Sequence, residues 1–164
     1  MNDPLAASIR VLALKLLERR DYSRFQLQQK LREKVRKNRG RFPEGNVQQA
    51  VQSVLKSLQS SGLVDDARFA ANVARRGRSS RLLGNLRIKR DLKRFGIDAK
   101  IADPILSDLP DEKEALDKAI ERYIRRRGRP AGLRDLQAVY RHAIRLGHRP
   151  SEVRRRLESH FRKL

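Results

Sequence analysis

Two stretches decide the fold: Gly62-Leu63-Val64-Asp65-Asp66-Ala67-Arg68-Phe69-Ala70, and Gly84-Asn85-Leu86-Arg87-Ile88-Lys89-Arg90-Asp91-Leu92-Lys93-Arg94-Phe95-Gly96-Ile97. Ahead of the first, Val47, Val51, Val54, Leu55 and Leu58 recur at helical spacing, so Gly62 falls where a helix end calls for a left-handed residue. Leu63 and Val64 bridge the corner. The Asp65 carboxylate is placed to accept from the free amides of a new helix carrying Phe69. In the second stretch Ile88, Leu92 and Phe95 share one helix face, and Arg87, Lys89, Arg90, Lys93 and Arg94 occupy the rest. Gly96, with Ile97 behind it, is a second helical stop. The centre of the chain is one apolar stripe on a basic helix.

On the N-terminal side, Leu5, Ile9, Leu12, Leu16 and Leu17 form a helical stripe, with Asp3 as cap and Pro4 in the first turn. Asp21-Tyr22-Ser23 breaks it, and Leu27, Leu31 and Val35 mark a second helix. Residues 36–46 contain two glycines and a proline without periodicity and read as a basic loop. On the C-terminal side, Phe69 and Val73 mark a short fourth helix that Gly77-Arg78-Ser79-Ser80 is expected to break. A fifth helix runs from about Leu82 to Phe95, and a sixth starts near Asp98. Pro104 either kinks that helix or begins it, with Asp103 as cap. Pro110-Asp111-Glu112 opens a seventh helix with acids where the dipole favours them. Gly128-Arg129-Pro130 ends it, Leu133 to Ile144 form the eighth, and the ninth carries Val153, Leu157, Phe161 and Leu164.

The pattern repeats. A shift of 51 residues lays Arg94-Phe95-Gly96 on Arg145-Leu146-Gly147, and one of 61 lays Leu27 and Leu31 on Ile88 and Leu92. The first round departs from the rule at Val35, which takes the glycine position. The expected fold is all-α: three tandem three-helix repeats, helix-turn-helix-like, stacked into an elongated curved array. The repeats are expected at 1–62 (with the basic loop 36–46), 63–109 and 110–164. Gly62, Leu63, Asp65, Phe69, Ile88, Leu92, Gly96 and Gly147 are its structural signature residues.

Composition narrows the function. Lys plus Arg number 40 against 19 acids in 164 residues, a net charge of +21, with 38% hydrophobic and 5% aromatic content. Such an excess repels itself in the folded state and points to a polyanion or an acidic protein surface as partner. The absence of cysteine removes disulfides, thiolate nucleophiles and cysteine metal sites. His142, His148 and His160 have no metal-ligand spacing, and His142 reads as a surface residue. Asp65-Asp66 reads as a cap rather than a metal pair. No catalytic constellation, cofactor loop or metal site is expected. No apolar run approaches the ~20 residues of a membrane span, and Arg10, Lys15 and Glu18 interrupt any leader-like core, so the chain reads as cytoplasmic.

The candidate binding residues form a basic track: Arg75, Arg76, Arg78, Arg81, Arg87, Lys89, Arg90, Arg94, Arg125, Arg126, Arg127, Arg129, Arg141, Arg145, Arg154 and Arg155. Few aromatics interleave with it, so base stacking on single strands is not its obvious mode. Residues 98–121 are the counterweight, with eight acids that either cap helices or face a basic protein.

The run G-L-V-D-D-A-R-F-A followed by G-N-L-R-I-K-R-D-L-K-R-F-G-I resembles the central repeat of the bacterial RecX regulatory proteins, and weaker likeness extends from about Ile9 to about Leu157. The chain is expected to be a non-enzymatic monomer, and the resemblance implies that it lodges in the groove of the RecA–DNA filament. It implies lowered recombinase, ATPase and coprotease activity in DNA repair, with non-sequence-specific contact to the DNA phosphate backbone. Val35, Pro104 and the high net charge depart from the family pattern. The rival reading is a stand-alone basic DNA- or RNA-binding protein with no RecA partner; helix five, mostly Arg and Lys apart from Asn85, lacks the polar base-readers of a sequence-specific reader. An enzyme is a distant third. Circular dichroism is expected to show more than half of the residues helical with no strand signal, and scattering to fit a body longer than a compact sphere.

Overall fold

The computed structural model describes residues 3–161, and the side chain of His160 is outside that description. Its helices are α1 Pro4–Leu17, α2 Arg24–Lys37, α3 Val47–Ser60, α4 Asp66–Ser79, α5 Asn85–Arg94, α6 Ala99–Ser107, α7 Glu112–Arg127, α8 Leu133–Arg145 and α9 Pro150–His160, and no strand occurs among the described residues. The architecture is all-α in tandem three-helix repeats. Two compact units result: one holds the residues up to Ala70 together with Phe95–Ile97, the other Ala71–Arg94 together with Asp98 onward.

In the first unit, α1, α2 and α3 enclose a core of Leu5, Ile9, Leu27, Leu31, Val35, Val51, Leu55 and Leu58, each at most 1% exposed. The helix starts are written in the sequence. Asp3 accepts from Leu5 N–H at 2.9 Å, Ser23 and Gln26 form a reciprocal capping box on α2, and Asn46 accepts from Gln49 N–H at 3.1 Å. Phe42 packs on this core. In the second unit, α7, α8 and α9 close on Leu116, Ile120, Val139, Ala143, Val153 and Leu157.

Three expectations change and one open alternative, at Pro104, closes. Helix α4 runs past Gly77 and ends at Ser79, with Gly77 buried and a Cβ there 3.4 Å from Ile88 and Leu83, at the edge of ordinary contact. The real break is Leu82, at φ 57, so α5 begins at Asn85 and not at Leu82. The 36–46 loop is partly structured: α2 extends to Lys37 and Arg39–Arg41 make a 3-10 turn. Pro104 lies inside α6, whose cap is Asp98, accepting from Lys100 N–H at 2.8 Å, so it does not begin the helix. Leu164, expected on α9, is outside the described residues.

One joint occurs twice. In the first unit, Ser23 Oγ donates to Phe95 O at 2.6 Å and Arg24 N–H donates to Asp66 Oδ1 at 2.7 Å. In the second, Gly84 N–H donates to Leu146 O at 2.9 Å and Asn85 N–H to Glu112 Oε1 at 3.2 Å. Each joint thus caps the N-terminus of one repeat's second helix with a carboxylate from the next repeat's first helix. The C-terminal glycine of the next repeat's second helix seats itself there too. Gly96, at φ 75, meets Phe25, and Gly147, at φ 88, meets the backbone of Arg87, with a Cβ at either position falling 2.3–2.4 Å from its neighbour. These glycines serve both the left-handed turn and the close approach.

Gly84→Ala would drive a methyl to 2.2 Å from the Gly147 carbonyl oxygen, and is expected to destabilise by about 1–3 kcal/mol or more. Leu92→Ala, from a fully buried position, should cost roughly 2–5 kcal/mol. Gly40→Ala, with open space around it, should be near neutral. Thermal melts of the three variants check the order.

Candidate polyanion-binding surface

Every residue of the expected basic track lies in the second unit. Arg75, Arg76, Arg81, Lys89, Arg90, Arg94, Arg125, Arg126, Arg127, Arg129, Arg141, Arg145, Arg154 and Arg155 are exposed. On α5, burial of Ile88, Asp91 and Leu92 turns Lys89, Arg90 and Lys93 outward. On α7, Arg125, Arg126 and Arg127 occupy the last turn, where cations also suit the helix dipole.

Arg78 is the correction. It is 3% exposed, its Nη1 donates to Leu83 O at 2.8 Å, and its Nη2 donates to Asn85 Oδ1. Burial pushes its pKa down, with Glu112 and Asp111 partly offsetting the effect. Its task is to hold the turn between α4 and α5 closed, and it is withdrawn from any external partner. Arg87 is half-buried, pairs with Asp91 at 3.2 Å and supports Gly147, so it too is structural in part.

The acids of 98–121 are largely committed within the chain. Asp98 and Asp111 cap α6 and α7, Asp103 pairs with Lys89 at 2.8 Å, Glu114 with Lys118 at 2.6 Å, and Asp117 with Arg156. Asp65 and Asp66 are both caps: Asp65 accepts from Arg68 N–H at 2.9 Å and Asp66 from Arg24 N–H. Of the signature residues, Ile88 and Leu92 are core, Phe69 meets Phe95 edge-to-face at 5.7 Å, and Leu63 is 45% exposed at its corner after Gly62.

His142 lies deeper than a surface residue, and His148 is buried. His142 is half-buried against the Tyr123 ring at 4.9 Å, and its pKa is lowered by burial first, then by Arg145, Arg126 and His148. His148 is 1% exposed, its Nε2 3.0 Å from Leu82 O and its Nδ1 3.5 Å from Glu112 Oε1. The signal lay in the 51-residue shift, which puts His148 on the buried Ile97, a core position. Among the described residues no group of three or more His, Cys, Asp or Glu could hold a metal, and no helix is long and apolar enough to cross a membrane.

Glu112 gathers this joint. Burial raises its pKa, but His148, the Asn85 amide and Arg78 together outweigh it and leave it below the ordinary 4.5. A carboxyl held below its unfolded value adds stability above that value and loses it as pH falls through the folded one. Glu112→Gln is therefore expected to lower neutral-pH stability by about 1–3 kcal/mol and to flatten the stability loss on acidification below 4.5. Denaturant melts across pH check both.

Comparison with known proteins gives consistent matches. A profile of the RecX second three-helix domain matches residues 65–104. A regulatory protein RecX of Halorhodospira halophila is 33% identical, over 94% of this chain and 90% of its own. One from Trichlorobacter lovleyi is 28% identical, over 89% and 91%. A crystal structure of regulatory protein RecX superposes with TM-score 0.74 at 24% identity, over 90% of this chain and 70% of that one. A RecX structure from Lactobacillus salivarius superposes with TM-score 0.73 at 18% identity, over 94% and 95%.

Proposed function

The chain belongs to the RecX family of regulatory proteins, and from that premise we propose that it binds the RecA–DNA filament and negatively modulates recombinase, ATPase and coprotease activity in DNA repair. It acts as a cytoplasmic monomer without catalysis of its own. The observation that carries this reading is the exposure of the arginines on α4, α5, α7, α8 and α9, while most neighbouring acids are engaged in caps and ion pairs. A surface whose negative charges are used internally presents its cations to an outside polyanion, and arginine suits both phosphate and carboxylate. DNA phosphates and acidic patches of the filament are the partners that match. Contacts of this kind steer association and weaken with salt.

The stand-alone nucleic-acid reading draws on the same arginines, so the test separates the two. Substoichiometric protein should suppress the DNA-dependent ATPase of its own RecA. Binding to RecA-coated DNA should be tighter than to bare DNA at equal salt. Arg76→Glu, Arg90→Glu and Lys93→Glu combined leave Ile88, Asp91, Leu92 and the joints untouched, and glutamate supports a helix. The triple variant should keep its dichroism and lose suppression roughly tenfold or more. Equal affinity for bare and coated DNA, with no effect on ATPase, would leave the nucleic-acid module standing.

A further inference from the structure

Between α7 and α8 the chain runs Gly128-Arg129-Pro130-Ala131-Gly132. The turn is pinned at both ends. Gly128 N–H donates to Ile124 O at 2.8 Å, Ala131 N–H donates to Asp135 Oδ2 at 3.0 Å, and Pro130 is buried. From this fixed base Leu133, the first residue of α8, stands 79% exposed. A leucine that bare adds almost nothing to the core, so packing does not account for it. Arg127, Arg129 and Arg134 beside it in sequence are exposed, and the adjacent carboxylate, Asp135, is held by the turn. Gly132 supplies no side-chain cap, and the one carboxylate in the first turn of α8, Asp135, bonds back to Ala131 N–H.

We infer that this turn is a wedge for duplex DNA: Leu133 enters a base step from the minor groove while Arg129 and Arg134 hold the flanking phosphates. An aliphatic tip between cations is the chemistry that partly unstacks a deformable step and kinks the duplex. It is a poor stacking platform for single strands, which want aromatic faces. A pocket on a protein would also accept a leucine. Arginines on both sides of the tip, with no uncommitted acid among residues 127–135, match phosphates better. The wedge rests on the nucleic-acid half of the proposed function.

The test uses the full chain and a short duplex carrying 2-aminopurine beside a thymine–adenine step. The unaltered protein should raise its fluorescence on binding. Leu133→Ala should melt at the same temperature, keep the salt dependence, bind roughly tenfold more weakly and give no rise, and Leu133→Met should restore it. An undiminished rise with Leu133→Ala overturns the wedge. So does a loss confined to recombinase-coated DNA, which assigns Leu133 to a protein pocket. Absence of any salt-dependent binding to bare duplex overturns the wedge together with the nucleic-acid half of the function, whereas the first two outcomes leave that half intact.

Discussion

A three-helix unit of about 50 residues buries too little apolar surface to stand well alone, and the joint that recurs at Phe95–Gly96 and Leu146–Gly147 is what the rest depends on. It works because a helix N-terminus has amides with no partner inside the helix. The next repeat supplies the acceptors, Asp66 or Glu112 from one helix and a backbone carbonyl from the end of another. Glycine then lets two backbones meet without a side chain between them. Capping and packing are one event, so losing the glycine removes hydrogen bonds as well as contact.

Much of this was legible. The apolar series at helical spacing located the helices, and Asp3, Asp65 and Asp111 marked their starts through chemistry that is local in sequence, while Asp98 and Asp103 both offered a cap for α6 and Asp98 takes it. Gly96 and Gly147 were readable as stops. Their second role was not, because the neighbours of those glycines, Phe25 and Arg87, are far away in sequence. Arg78 failed for a similar reason. Inside a run of arginines nothing local marks the one whose guanidinium closes a turn on Leu83 and Asn85. Gly77 looked like a breaker because glycine often ends helices, yet here it is buried within α4 and faces Ile88 and Leu83. The exposure of the remaining arginines follows from helix periodicity, while the partner that meets them is a matter for binding experiments.

The disposition of the acids links fold to function. Carboxylates that cap helices and pair with nearby lysines and with Arg155 and Arg156 stabilise the scaffold, and with 40 basic residues against 19 acids cations remain in excess on the outward faces. Net charge, +21 in the sequence, thereby becomes a field directed away from the protein. The two roles are coupled through α5, where Asp91 is buried and held by Arg87 while Arg90 and Lys93 face out.

The joint is also directional: one side offers a helix start, the other a carboxylate and a glycine turn. The first repeat breaks this pattern. Val35 stands where the glycine would be, 1% exposed within a helix that continues to Lys37. A buried β-branched residue there keeps the helix running, so the first repeat has a longer second helix where the others have a left-handed corner.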